Sequence, residues 1–96
     1  MIACYILYSP TLQKFYTGVT QDDVTSRLEK HNTSQYGKHY TSQTQDWEVF
    51  FTIECESLAQ ALKIEKHIKS MKSVTYIQNL KQYPQISQKL KEKYKE

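Results

Sequence analysis

Two tyrosines, an arginine, a histidine and a glutamate stand in an order that suits phosphodiester chemistry. Ala3-Cys4-Tyr5 and Tyr16-Thr17-Gly18 occupy two strand-like segments joined by a short connection. Arg27 and His31 follow at helical spacing, and Glu65 falls in a later helical segment. Hydrolysing a phosphodiester needs a nucleophilic water, charge relief on the phosphoryl oxygens, and help for the leaving 3′ oxygen. Arg27 is always charged, and its fork matches phosphate. Glu65 is a hard oxygen ligand suited to Mg²⁺ or Mn²⁺, with water and phosphate filling the other positions. One carboxylate implies a single-metal site rather than a two-metal clamp. A tyrosine can orient or deprotonate the attacking water. Its ordinary pKa of about 10 requires Arg27 or the metal to favour the phenolate. His31 is a rival base with a more suitable pKa.

Each of these residues also has a packing role open to it. Tyrosine favours strands, and this chain has eight. Arg27 shares a helix face with Val24 and Leu28, where its stem can cover apolar surface. Glu65 lies near an apolar stripe, so it must be paired, protonated or metal-bound if buried. An ion pair with Lys69 at i+4 is the simplest such partner. His39, His67 and Trp47 read as loop, surface and core residues.

The elements that must position these groups are legible in the pattern. Residues 2–8 and 14–19 are β-branched and aromatic and flank a hairpin loop. Thr20 with Asp23 resembles a capping box, and Val24, Arg27, Leu28 and His31 follow on one helical face. Residues 33–46 are polar and read as a long loop, which in a compact domain is often functional. Residues 47–53 form a third strand. Ser57 with Gln60 opens a helix to about Met71, with Leu58, Ala61, Leu62 and Ile68 as its buried stripe. A short helix covers residues 74–81. Pro84 opens a last one carrying Ile86, Leu90 and Tyr94. The order β-β-α-β-α-α plus a C-terminal helix predicts an α+β domain, a small three-stranded antiparallel sheet flanked by helices.

Composition sets the remaining bounds. Ninety-six residues make one domain with a modest core. Two cysteines, neither in a CxxC, are too few for a disulfide framework and point to a reduced, cytoplasmic setting. No apolar run approaches the roughly 20 residues of a membrane span. The strand-like start leaves no visible signal peptide. The net charge of +3 is unevenly spread. Residues 1–62 carry four cations against seven acids, whereas residues 63–96 carry nine lysines against three glutamates. A lysine-rich half is an electrostatic footprint for a polyanion.

The ordered set resembles the GIY-YIG endonuclease family over roughly residues 1–80. Beyond the two tripeptides, the neighbouring text Tyr5-Ile6-Leu7-Tyr8-Ser9, Arg27-Leu28-Glu29-Lys30-His31-Asn32 and Glu65-Lys66-His67-Ile68-Lys69, followed by Lys72, is similar to the small stand-alone members. Ala3, Cys4 and Thr17 depart from the family's tripeptides by small or apolar swaps. The resemblance implies a nuclease domain over 1–82 with a helical extension over 83–96. It implies Tyr5, Tyr16, Arg27, His31, Glu65 and Asn79 as catalytic residues, with Gln78 as a stand-in for Asn79 and Glu65 on the metal. The expected activity is Mg²⁺- or Mn²⁺-dependent cleavage of DNA, in repair, recombination or mobile-element processing. Lys38, Lys66, Lys69 and Lys72 are the candidates for holding the nucleic acid backbone. Two other classes compete: a nucleic-acid-binding module that has lost cutting, and an interaction domain in which the motif survives as packing. DNA against RNA, the substrate structure and the oligomeric state are left open.

Overall fold

A computed structural model describes residues 1–32 and 44–95. Its elements are strands β1 (Ala3–Ser9) and β2 (Lys14–Thr20), helix α1 (Val24–Asn32), strand β3 (Glu48–Glu54), and helices α2 (Leu58–Met71), α3 (Val74–Gln82) and α4 (Pro84–Lys93). The strands form one antiparallel sheet in the order β2-β1-β3. The expected α+β class and element order therefore hold.

The centre strand is covered on both faces, which is why its sequence is nearly all apolar. Ala3, Cys4, Tyr5, Ile6 and Leu7 are each at most 1% exposed. Strand alternation sends Cys4 and Ile6 to one face, where they meet Ile53 of β3, Ile64 and Ile68 of α2, Leu80 of α3 and Leu90 of α4. Ala3, Tyr5 and Leu7 point to the other face and pack with Val24 of α1 and Trp47. Tyr16 and Leu28 pack against this second cluster. The two faces thus divide the work. Three helices fill one side, and α1 closes the other.

Two local features differ from the sequence-based expectation. Thr20 ends β2 instead of capping α1. The cap is Asp23, whose Oδ1 accepts from the Thr25 N–H at 3.0 Å. Thr20 Oγ1 instead accepts from the Asp22 N–H in the turn before the helix. In α2, Leu58 and Leu62 are 37% and 48% exposed, and the buried stripe is Gln60, Ala61, Ile64 and Ile68. The reason is Gln60. Its side chain accepts from the Glu56 N–H at 2.7 Å and donates to the Lys91 carbonyl at 2.9 Å. A polar residue satisfied on both sides can be buried, and this one rotates α2 so that the leucines face out.

The expected α2 start and α4 start are observed. The Gln60 N–H donates to Ser57 Oγ at 3.1 Å, and Pro84 opens α4. The polar segment expected as a loop over 33–46 lies largely outside the described residues. Its end is pinned. Asp46 accepts from Ser9 Oγ at 2.6 Å, from the Thr11 N–H at 2.9 Å and from Thr44 Oγ1 at 2.7 Å. The bond from Ser9, then those from Thr11 and Thr44, hold the Asp46 carboxyl well below the usual carboxylate range. This ties the chain entering β3 to the β1–β2 turn.

That clamp has a pH signature. A carboxyl depressed in the folded state contributes stability above its unfolded value of about 3.9. The contribution is lost as pH falls through the folded value. Asp46→Asn should therefore destabilise the protein at pH 7, with the gap to wild type narrowing below about pH 3.9. Urea unfolding at pH 7, 5 and 3 measures this. A gap that stays constant across that range would show that the carboxylate charge is not what the three donors hold.

Candidate active site

The centre of the site is a buried hydrogen bond between Tyr5 Oη and His31 Nε2, 3.0 Å long. Tyr5 stands on the centre strand and His31 on the last turn of α1. Both are nearly excluded from solvent, at 1% and 3% exposure. Tyr16 completes an aromatic trio. Its ring centroid lies 5.0 Å from that of His31 and 6.4 Å from that of Tyr5. Tyr16 is half-buried, so it is the tyrosine of the pair that faces outward.

Strand register brings the tyrosines together. Tyr5 pairs with Gly18, and Leu7 pairs with Tyr16, so the two rings are diagonal neighbours on one face. Gly18 makes room. A Cβ there would stand 2.6 Å from both Cζ and Oη of Tyr5.

Helix α1 is anchored at its far end by Asn32. Its amide donates to the Trp47 carbonyl at 2.8 Å and accepts from the Trp47 N–H at 2.7 Å. Asn32 thus satisfies both backbone groups of Trp47 just before β3, and fixes the turn that carries His31. Asn32 and Asp46 are the positioning residues that pattern reading did not assign. A polar amide directly after His31 at a helix end was the available signal.

Arg27 lies one turn before His31 on α1 and is half-buried. Its Nη2 reaches the Val19 carbonyl on β2 at 3.5 Å, which holds the guanidinium beside the strand that carries Tyr16 and Gly18. Glu65 comes from the other side of the sheet. It lies on the flank of α2 next to β2, with its side chain 21% exposed. Lys69 Nζ sits 3.2 Å from Glu65 Oε2 and 5.9 Å from the Tyr16 ring centroid. Lys69 therefore links the Glu65 carboxylate to the Tyr16 ring at the β2 edge.

Other expected residues lie elsewhere. Asn79 is half-buried on α3, next to Leu80 of the opposite cluster, and its carbonyl accepts from the Tyr83 N–H at 2.8 Å. Among the described residues no hydrogen bond joins its side chain to the tyrosines, Arg27 or His31. Gln78 faces a pocket with Tyr8 and Phe15. Lys66 and Lys72 are exposed. Lys38 lies outside the described residues. His67, expected on the surface, is partly buried and shares a 3.0 Å bond between its Nδ1 and Tyr94 Oη. Both cysteines are free, and burial pushes the thiols of Cys4 and Cys55 up, so neither is a poised nucleophile.

The donor set fits a hard divalent cation in one specific way. Mg²⁺ takes one or two carboxylates and completes its shell with water and substrate phosphate. Glu65 offers one such carboxylate, partly open. Among the described residues no cluster of three His, Cys, Asp or Glu forms a closed cage. The ammonium of Lys69 now neutralises the carboxylate that would face the ion. That exposed side chain can turn away at small cost, because a solvent-facing ion pair contributes only a few tenths of a kcal/mol.

Comparison with known proteins assigns the chain to a family. A UPF0213 protein of Syntrophus aciditrophicus (strain SB) is 34% identical over 70 residues, which cover 73% of this chain and 79% of the relative. No solved structure matches the chain. Residues 1–78 match the family model of the GIY-YIG catalytic domain. The chain thus belongs to the GIY-YIG domain family, a family of nucleases that act on nucleic acid.

Proposed function

We propose that this protein is a divalent-metal-dependent endonuclease that hydrolyses DNA phosphodiester bonds, with Tyr5, Tyr16, Arg27, His31 and Glu65 as its centre. The observation that carries the reading is the Tyr5–His31–Tyr16 trio. A buried phenol–imidazole bond of 3.0 Å supports one outward-facing tyrosine, with a guanidinium a helical turn away. Packing alone does not need a histidine and a tyrosine bonded inside an otherwise apolar cluster.

Roles follow from exposure. Tyr16 is the phenol within reach of solvent, so it orients the attacking water and, as the phenolate, accepts its proton. His31 lies against the Tyr16 ring and is held by Tyr5, which places an imidazole where it can share that proton. Water oxygen bonds to phosphorus as the P–O3′ bond breaks, the water's proton passes to Tyr16, and the 3′ oxygen leaves and takes a proton from solvent water. Arg27 stabilises the charge that grows on the phosphoryl oxygens. A Mg²⁺ or Mn²⁺ ion on Glu65 would supply Lewis-acid relief at the same phosphate. Lys66 and Lys72 would hold the backbone without reading sequence.

Five variants separate these roles. Glu65→Gln should abolish cleavage and leave DNA binding near wild type, since one oxygen ligand is removed and little shape changes. A fully active Glu65→Gln protein would place the metal elsewhere.

Arg27→Ala should lose about 10²–10³ in single-turnover rate with a smaller loss of affinity. Replacing Lys66 and Lys72 should do the reverse, weakening binding and lowering its salt slope by about 0.9 for each phosphate no longer neutralised. Equal effects of the two changes on affinity, with no metal-dependent cleavage by wild type on any strand, would leave a binding module in place of an enzyme.

The tyrosines should differ. Tyr16→Phe should remove most of the rate with stability unchanged, because its hydroxyl is the outward one. Tyr5→Phe should cost about 1–3 kcal/mol of stability, because it strands the buried His31 nitrogen. Urea unfolding beside cleavage rates resolves the pair. A Tyr16→Phe enzyme with wild-type rate would move the base to His31.

A further inference from the structure

On the opposite face of the sheet, at the hairpin end, lies a pocket of about 210 Å³ lined by Tyr8, Gln13, Phe15, Phe50, Val74 and Gln78. We propose that this pocket receives one unstacked nucleobase of the bound nucleic acid. The inference rests on the nucleic-acid reading above and adds a substrate feature to it: a base that is not held in a duplex.

The lining is what a base requires. Three aromatic rings form its wall. The Tyr8 and Phe15 centroids are 4.8 Å apart, and Phe15 meets Phe50 edge-on at 4.9 Å. All three are only half-buried, so part of each ring is open to solvent. Gln13 and Gln78 stand exposed at the rim, and each amide carries both a donor and an acceptor for a base edge. Lys81 Nζ lies 4.8 Å from the Phe50 centroid and adds a cation for a neighbouring phosphate. Drug-sized ligands occupy roughly 300–1,000 Å³, and this smaller, open pocket suits a single planar ring.

Backbone irregularities build the site. The β1–β3 register shifts between Ile6 and Leu7, so that Ile6 pairs with Phe51 and Leu7 with Val49. Phe50 is the extra residue of this bulge. The bulge lets Phe50 and Phe51 pack on the same face, which plain alternation forbids. Gln13 is held at φ 52° and closes the turn with a 2.7 Å bond from its N–H to the Ser9 carbonyl. A left-handed residue at Lys72, φ 48°, ends α2 and sets the first turn of α3, with Val74, at the pocket.

The pocket also adjoins the catalytic strand. Phe15 precedes Tyr16, so the two lie on opposite faces of β2 one residue apart. Lys69, over the Tyr16 ring, and Lys72 come between Glu65 and Val74 along the chain. A strand whose phosphate sits by Tyr16 and Lys69 can pass the β2 edge and place a base against Phe15. A base held in a duplex is stacked on both sides and cannot enter.

The test uses full-length protein in EDTA, so that no cleavage intervenes. Three fluorescein-labelled probes are titrated by anisotropy: dT10, a ten-unit sugar–phosphate strand without bases, and a blunt ten-base-pair duplex. Wild type should bind dT10 about fivefold or more tightly than the base-free strand, in keeping with base–aromatic stacking. Gln78→Ala and Phe50→Leu should shrink that preference and leave base-free affinity unchanged. Amide resonances of Gln13, Val74 and Gln78 in wild type should shift with dT10 and stay put with the duplex. Gln78 is exposed, so its substitution leaves the fold intact even where Phe50→Leu does not. Equal affinity of wild type for dT10 and the base-free strand, or pocket resonances unmoved at saturation, would overturn the pocket. An intact base preference in a protein that cleaves no strand when Mg²⁺ or Mn²⁺ is added would instead sink the nuclease reading alone.

Discussion

The Tyr5 ring lies across Gly18, and the rest of the site is arranged around that close approach. Glycine is demanded by space, since a Cβ at 18 would press on the tyrosine hydroxyl itself. With the ring down against β2, its oxygen reaches toward α1, and only a residue on the last turn of that helix meets it. His31 is that residue. The helix must then sit at one height over the sheet. Val24 and Leu28 fix its inner face, and the paired hydrogen bonds between Asn32 and Trp47 fix its end. Thr17 pairs with Ile6 and Cys4 pairs with Val19, away from the Tyr5 ring. Gly18 alone carries the burden.

The sheet and helices were legible because their signals are local. Alternation and β-branched residues mark the strands, while Ser57 and Pro84 mark helix starts. The tyrosines and His31 were legible as a set, because a hairpin register and a helical turn fix their spacing. The rotation of α2 was not. It depends on Gln60 being satisfied by Glu56 and by Lys91, a residue 31 positions away. Periodicity reads Gln60 as polar and therefore outward, and so assigns the stripe to Leu58 and Leu62. The start of α1 failed for a related reason. Thr20 and Asp23 both offer oxygens to nearby N–H groups, and only the strand pairing of Thr20 with Ala3 decides which residue caps.

Glu65 and Asn79 show where spacing stops being informative. Both lie on helices against the face opposite the tyrosines. Glu65 lies on the helix that packs along the edge strand β2, and Lys69 links it to the Tyr16 ring. Asn79 sits on α3, whose buried face is set by Leu80 and by the packing of α4. A one-residue change in the linker between α2 and α3 would rotate α3 by about 100°. No count of residues between Glu65 and Asn79 can therefore say whether Asn79 or Gln78 faces a given surface. The left-handed Lys72 and the Ser73 cap decide it. Ser73 Oγ accepts from the Tyr76 N–H at 3.1 Å.

The same edge strand accounts for the exposed aromatics. An unpaired edge invites association with other strands, and proteins usually blunt it with charge or cover. Here α2 covers part of β2, and Lys69 stands over Tyr16. The hairpin end beyond it keeps Phe15 half-open beside Phe50. Without the bulge, plain alternation would send Phe50 and Phe51 to opposite faces of the sheet. The bulge instead holds two consecutive phenylalanines against one core cluster, with Phe50 at the pocket wall. A wall of aromatic rings thus lies one residue along β2 from Tyr16 and on the other face of the sheet, in a chain whose second half is lysine-rich.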